Sequence, residues 1–505
     1  MNPPARLPSP SPVPFELLGG MPGLWRRRRG PTLDDLVARA AARPEPVDRE
    51  GIAAAISDYL AAFDAPAAVR DALEVLRAPG TVAVVTGQQP VLLGGPAYVL
   101  YKALTAIRVA RELSARGVPA VAIFWNASED HDIAEANVVA LPGADGWRRH
   151  ALDDLPALTR RPLSDVPLGA TNSAQINAWS AAAGWSDVAP LASPSDTLAS
   201  WQTAAMLRAL GEYGLLVVEP HLLRPFAGEL FGRLLDEFDD LSRDLDTAIA
   251  GLADVAPEAR EHRLTTNAPL FAMVDGERQR ISRETDNFSD VAARARANPL
   301  QFSTTALSRP LMQNLVLPTV AYVCGPAELT YNALLDPWHA RLGIQPAALI
   351  RRASMTVANA TTSAGDVVAA ITARATAREA IVTLQQADET MLRDLHAALR
   401  TLEDDAPAAA AAVAQSLDRL DHAARRRAAR AQQARLQSPL AQLRDLSPAV
   451  RAAARRVEPV PHKLQERVIP WLHLLATHGR AIIDVLLDDG VEPLPDHHLV
   501  VSVRQ

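Results

Sequence analysis

Residues 81–102 read TVAVVTGQQPVLLGGPAYVLYK, and the order of textures within this stretch decides the fold. Thr81 to Val85 is an unbroken apolar run, the mark of a strand buried on both faces. A glycine-rich loop follows, and from about Pro96 to Ala115 the apolar spacing is that of a helix. Pro119 to Trp125 is the next apolar strand. Strand, helix and strand in succession make a βαβ unit, which favours a parallel sheet joined by right-handed crossovers.

Residues 1–45 read as an N-terminal extension whose proline-rich start, Met1 to Phe15, is expected to be partly flexible; Arg26 to Arg29 reads as a solvated basic turn. Val47 to Ala78 has helical spacing. Residues 141–195, rich in Pro, Asp, Ser and Trp with weak periodicity, read as an insertion covering the core. A helix near Leu198 to Tyr213, the strand Leu215 to Val218 and a helix from about Arg224 to Leu252 follow. A hairpin of Leu270 to Val274 and Gln279 to Ser282 around Asp275-Gly276, then strands at Leu315 to Cys324 and Ala347 to Ile350, complete an α/β core over residues 46–362.

Over residues 363–440 the texture changes to long Ala-, Arg- and Leu-rich helices. Leu384, Met391, Leu395 and Leu402 follow the 7, 4, 7 spacing of a coiled-coil seam, and Asp404-Asp405-Ala406-Pro407 breaks the run into a helical hairpin. Its first arm, about Gly365 to Leu402, would be on the order of 55 Å long, a length suited to dimerisation. Over residues 441–505 a helical stretch, about Lys463 to Leu487, leads to the strand Leu499 to Val503, expected to rejoin the sheet.

A chain of 505 residues with 48% hydrophobic residues can bury more than one core. Lys+Arg is 51 against Asp+Glu 58, a net charge of -7, so no basic field attracts nucleic acid. Cys324 is the single cysteine, which fits a reducing compartment, and no run has the make-up of a signal core or a transmembrane segment. The expectation is a cytoplasmic protein with no membrane partner. Only two of the 51 basic residues are lysine, Lys102 and Lys463. Genome base composition accounts for the arginines; a surviving lysine, a compact point charge rather than a planar fork, is the more informative for it.

Three constellations carry the chemistry. The first is Thr86, Gly87, Gln88 and Gln89, then Gly94 and Gly95, between a strand and a helix. Ligands of open α/β sheets bind there, glycines permit close backbone approach, and a helix N-terminus offers free N–H groups. Lys102, two turns into the helix, is placed to reach an anion; a packing turn with no ligand is the plainer alternative. The second is Ser128-Glu129-Asp130-His131-Asp132. Either Ser128 caps a helix whose first turn is acidic, or Glu129, Asp130, His131 and Asp132 supply a general base. A magnesium carried on nucleotide phosphates would suit them, but their spacing matches no protein-held metal motif. The third is an echo: Gly95 to Leu104 aligns without gaps with Gly325 to Leu334, identical at six of ten positions. The departures, Lys102 for Asn332 and Tyr98 for Glu328, suggest that one half holds an anion and the other a cation, with Tyr331 shared in kind with Tyr101. Arg309, Gln313 and Arg352 are further polar candidates, guanidinium forks being suited to carboxylate or phosphate. Cys324, ending an apolar strand, reads as a small buried hydrophobe rather than a nucleophile.

The stretches TGQQPVLLGGPAYVLYKALTAI, FWNASEDHD, SRPLMQNLVLPTVAYVCGPAELTY, RRASMT and LQERV resemble, in that order, the signature segments of the bacillithiol biosynthesis cysteine-adding enzymes. The resemblance runs from about residue 80 to 470. It implies a Rossmann-like core with connecting insertions, a C-terminal coiled coil that mediates homodimerisation, and ligation of cysteine to glucosaminyl malate to give bacillithiol. Asn314 stands where the family leads one to expect aspartate, and Cys324 where it leads one to expect glycine. Joining a carboxylate to an amine is uphill without a leaving group, so ATP with magnesium is the suspected activator, although the HxGH and lysine-loop signatures of class I synthetases are absent. A sugar-nucleotide transferase and a coiled-coil scaffold are the alternative readings.

Overall fold

The computed structural model describes residues 11–15, 24, 30–143, 146–155, 160–358, 363–372, 456, 464–488, 494 and 497–502. Its centre is a five-stranded parallel sheet of β1 (Val82–Gln88), β2 (Ala120–Asn126), β3 (Leu216–Val218), β4 (Thr319–Cys324) and β5 (Ala348–Arg351). The spatial order is β5-β4-β1-β2-β3, with Val84 of β1 level with Ala122 of β2 and Ala321 of β4. These strands are apolar at almost every position because helices cover both faces of a parallel sheet. The order 3-2-1-4-5 is that of a doubly wound sheet, in which the strand order reverses between β1 and β4 and a crevice opens beyond the strand ends.

Helix α1 (Ala97–Ala115) is buried on nearly every side from Ala97 to Ala110. It lies between the sheet and the C-terminal helices Trp471–His478 and Ala481–Leu487, so an apolar surface all round is what its position requires. The turn before it is left-handed at three consecutive residues, Leu93 (φ 53), Gly94 (φ 76) and Gly95 (φ 79). α2 (Leu198–Leu210), α3 (Ser308–Val316) and α4 (Pro326–Ala333) are the other helices that bear on the crevice.

Several expectations shift in detail. The strand read at Leu315 to Cys324 begins only at Thr319, because Leu311, Met312, Leu315 and Val316 have helical spacing within α3 and Pro318 separates the two elements. The long helix read over Arg224 to Leu252 is two helices, Gly228–Asp236 and Phe238–Leu252. The hairpin is Asn267–Val274 with Glu277–Ser282, turning on Asp275 (φ 54) and Gly276 (φ 79), the pair of positive φ angles that a type I′ turn demands. Within or beside the read insertion, Val139–Gly143 pairs antiparallel with Gly146–His150, and Gly169–Ala182 is a helix. The C-terminal strand, His497–Ser502, does not rejoin the main sheet. It runs between Ser354–Ala358 and Ser11–Pro14 in a separate sheet, where His498 is held by the hydroxyls of Ser354 (2.8 Å) and Thr356 (2.9 Å). Residues 11–14, expected to be loose, are thus an edge strand. Residues 364–372 are helical; the rest of the proposed coiled-coil hairpin, and Arg26 to Arg29, lie outside the described residues.

Candidate functional site

A cleft of about 1030 Å³ opens at the β1/β4 reversal point. Gly87, Gln88 and Gln89 enter it from the end of β1, Glu129 and Asp130 from the loop after β2, and Gly325 and Glu328 from the start of α4. Tyr98, Lys102, Arg309, Tyr331 and Arg352 also line it. The three constellations of the sequence therefore share one cavity.

Lys102 does not stand ready for an anion. Its ammonium donates to Gly87 O at 2.8 Å and to Gln88 Oε1 at 3.1 Å, and meets Glu328 Oε2 at 2.5 Å. An ammonium has three N–H donors, and all three are engaged. The expectation that Lys102 holds an anion and Glu328 a cation is corrected: the two echo positions neutralise each other across the reversal point. Glu328 also accepts from Tyr322 Oη at 2.6 Å and Gly325 N at 2.7 Å. Burial pushes its carboxyl up, but Lys102 and these hydrogen bonds outweigh it and hold Glu328 below the usual carboxylate range.

Arg309 is the better-placed cation. Its guanidinium lies 5.0 Å from the Tyr322 ring centre and 5.9 Å from that of Tyr331, donating to Gln313 Oε1 at 2.9 Å and Tyr331 Oη at 3.2 Å. Its hydrogen-bond partners there are neutral, so a planar fork is held rigid by partners that leave its charge unneutralised.

The acidic segment divides. Glu129, 5% exposed, pairs with Arg224 Nε at 2.9 Å and accepts from Thr304 N at 3.3 Å. Burial raises its carboxyl, more than Arg224 and Arg278 lower it. Asp130 accepts from the backbone N–H of His131 (2.7 Å) and Asp132 (3.1 Å). His131 is pushed down by burial and by Arg278, whose Nη1 lies 3.1 Å from its Nδ1. A guanidinium only donates, so Nδ1 accepts and cannot take a substrate proton while that contact holds. Asp132 caps the short helix Ile133–Ala136, accepting from Glu135 N at 2.9 Å; the cap is Asp132 and not Ser128, which is buried.

Six expected site residues do not line the cleft but support it. Besides His131 and Asp132, Thr86 ties β1 to β4 through Val323 O at 2.9 Å, and Gln313 holds Arg309. Gly94 and Gly95 accept from Trp471, whose indole N–H reaches Gly94 O at 2.8 Å; a Cβ on Gly94 would stand 2.5 Å from that nitrogen. Asn314 bonds His339 Nε2 at 3.0 Å, and Cys324 is buried.

Sequence reading missed most of the cationic wall: Arg263, Arg278, Arg280 and Arg467 line the cleft as well. Arg278 and Arg280 are two apart on one strand, hence on one face, and that period was the available signal. It also missed Gln202 on α2, whose amide accepts from Val91 N at 3.0 Å and donates to Asn126 Oδ1 at 3.1 Å, fixing the loop after β1. Among the described residues, seven cationic side chains line the cleft against four carboxylates, Glu129, Asp130, Glu261 and Glu328. A chain of net charge -7 thus concentrates positive charge in this cleft. No group of three or more His, Cys, Asp or Glu among those residues is arranged to hold a metal ion, and none of their helices is long and apolar enough to cross a membrane.

The fold and this crevice define a doubly wound α/β protein of the class that receives small ligands at the strand-order reversal. The family model described as bacillithiol biosynthesis BshC, N-terminal Rossmann-like domain, matches residues 30–353. The chain belongs to that family. It is 34% identical over 269 residues to a protein of Koribacter versatilis, covering 50% of this chain and 51% of the relative. It is 31% identical over 349 residues to one of Symbiobacterium thermophilum (61% and 62%) and 34% over 339 to one of Thermus thermophilus (63% and 64%). Each relative is named "Putative cysteine ligase BshC". The matched stretches span between half and just under two thirds of those relatives' lengths.

Proposed function

We propose that the chain is a cysteine ligase that joins the carboxylate of cysteine to the amine of glucosaminyl malate, forming bacillithiol, in the cytoplasm. The observation that carries this reading is the arginine-rich cleft at the β1/β4 reversal, whose lining except for Arg467 falls within the residues the family model matches. Both substrates bring carboxylates, and the cleft is large enough for two small molecules side by side. ATP with magnesium is the proposed activator and supplies the leaving group that amide formation requires. The fit is one of charge: Arg309 and Arg280 offer forks for carboxylate or phosphate oxygens, and magnesium would arrive on the phosphates rather than in a cage of protein ligands.

Within that reading the chain's own groups have distinct tasks. Glu129, lining the cleft with a carboxyl raised by burial, is the group we assign to take the proton from the attacking amine. Arg309 orients a carboxylate, and Lys102 with Glu328 locks the two halves of the site together. Cys324 has no role, the reacting thiol-bearing residue being the substrate. The coiled-coil segment over residues 363–440 is proposed to make a homodimer. Mass spectrometry after incubating the chain with cysteine, glucosaminyl malate and ATP tests the reading. The expected product has the mass of the two substrates less one water and vanishes when any component is omitted; no such product overturns it.

A further inference from the structure

The family model ends at residue 353, yet a segment more than a hundred residues later builds part of the same cleft. Gln465–Arg467 is a single 3-10 turn leading into the helix Trp471–His478. Gln465 pairs with Val357 as a strand residue would, accepting from its N–H at 2.8 Å and donating to its carbonyl at 3.1 Å. Glu466, 3% exposed, accepts from Arg352 Nη2 at 2.6 Å, Ser354 Oγ at 2.7 Å and Met355 N at 3.2 Å. On the other flank, Ala97 N donates to Ile469 O at 2.8 Å and Trp471 N to Gly95 O at 3.2 Å. One short stretch thus grips both the exit of β5 and the turn that starts α1.

Arg467 sits between these two anchors, exposed and lining the cleft. Arg352 and Tyr98 line it too, the guanidinium 5.3 Å from the ring centre. The charge of Arg352 is met by Glu466; no carboxylate among the described residues pairs with Arg467. Arg352 spends donors on Glu466 and on Ala353 O (2.9 Å), which leaves part of its fork for a ligand. We propose that Gln465–Trp471 completes the cleft, with Arg467 binding an oxyanion of the ligand, carboxylate or phosphate, beside Tyr98 and Arg352, and with Glu466 as the positioning residue that aims Arg352. The choice of ligands rests on the ligase reading; the placement of Arg467 does not.

The test is calorimetric titration of glucosaminyl malate and, separately, of ATP into the full chain and its Arg467→Ala, Arg467→Lys and Glu466→Gln forms, with melting temperatures recorded. Arg467→Ala is expected to weaken at least one ligand roughly tenfold or more, as for loss of a hydrogen bond to a charged group, with an unchanged melting temperature. Arg467→Lys is expected to recover part of the loss, and the ligand affected tells carboxylate from phosphate. Glu466→Gln is expected to weaken that same ligand selectively; a purely structural role would weaken both ligands or neither. Should Glu466→Gln fail to fold, the exposed Arg467 still decides the matter. Binding by the wild-type chain with no change in Arg467→Ala overturns this inference and leaves the ligase reading standing. A wild-type chain that binds neither ligand overturns both.

Discussion

Replacing Lys102 by methionine keeps the length of the side chain but removes the ammonium from a position 3% exposed. Glu328 then loses its 2.5 Å partner and keeps only Tyr322 Oη and Gly325 N. Breaking a buried ion pair by removing one partner costs about 3–5 kcal/mol. The two surviving hydrogen bonds place the expected loss near the lower figure, about 3 kcal/mol. Adding Glu328→Gln to Lys102→Met removes the stranded charge and should restore much of the loss, giving a coupling of about 1–3 kcal/mol in the double-mutant cycle. Lys102→Arg should also lose stability, because a planar fork does not reach the three acceptors that a tetrahedral ammonium meets here. Urea denaturation reads each value as a shift in midpoint at constant slope. A Lys102→Met loss below about 1 kcal/mol, the same with or without Glu328→Gln, is what a solvated helix residue would give and would refute the locking role.

Cys324→Ala should leave ligation nearly intact, with a stability loss of about 1 kcal/mol from the small cavity at the end of β4; lost turnover at an unchanged melting temperature would restore a catalytic thiol. Gly94→Ala sets a Cβ against Trp471 at a φ of +76 and should lower stability by about 1–3 kcal/mol in thermal unfolding. Stability should also fall in two steps on acidification. Burial pushes His498 down to about 4, and although burial pushes Glu466 up, Arg352 and its hydrogen bonds bring it to about 2. Both values lie below those of the unfolded chain, so the contributions are present above about pH 6.5 and 4.5 and are lost as pH falls through 4 and 2; Glu466→Gln should abolish the lower step. Light scattering should find a dimer that deletion of Gly365 to Ser438 abolishes, and a dimer unaffected by the deletion would remove the coiled coil from the interface.

The main sheet was legible because each strand is a short apolar run between turn residues, and because the repeated Gly-Pro start of α1 and α4 marks the two sides of the reversal point. Asp275-Gly276 announced its hairpin through turn chemistry alone. The boundary between α3 and β4 was less legible, since Leu315 and Val316 suit either element until Pro318 is weighed. Residues that line the cleft were legible where motif and strand end coincide, as at Gly87, Glu129 and Gly325. Whether a side chain meets ligand or protein was not legible. Lys102 and Glu328 are 226 positions apart, and only the pairing of β1 with β4 brings them together. Glu466 and Arg352 are joined by the path of the C-terminal chain, which no local pattern encodes.

The claim that amide formation takes place in this cleft is tested most directly by following the product by mass spectrometry in the wild-type chain and in Arg309→Met. Arg309 is cradled by Tyr322 and Tyr331, and methionine fills much of the same space without the fork. With cysteine, glucosaminyl malate and ATP supplied, the wild-type chain should accumulate the condensed product and the folded variant should do so at least tenfold more slowly, as for a lost charge-assisted contact to a carboxylate. Equal rates in the two proteins would place the chemistry elsewhere.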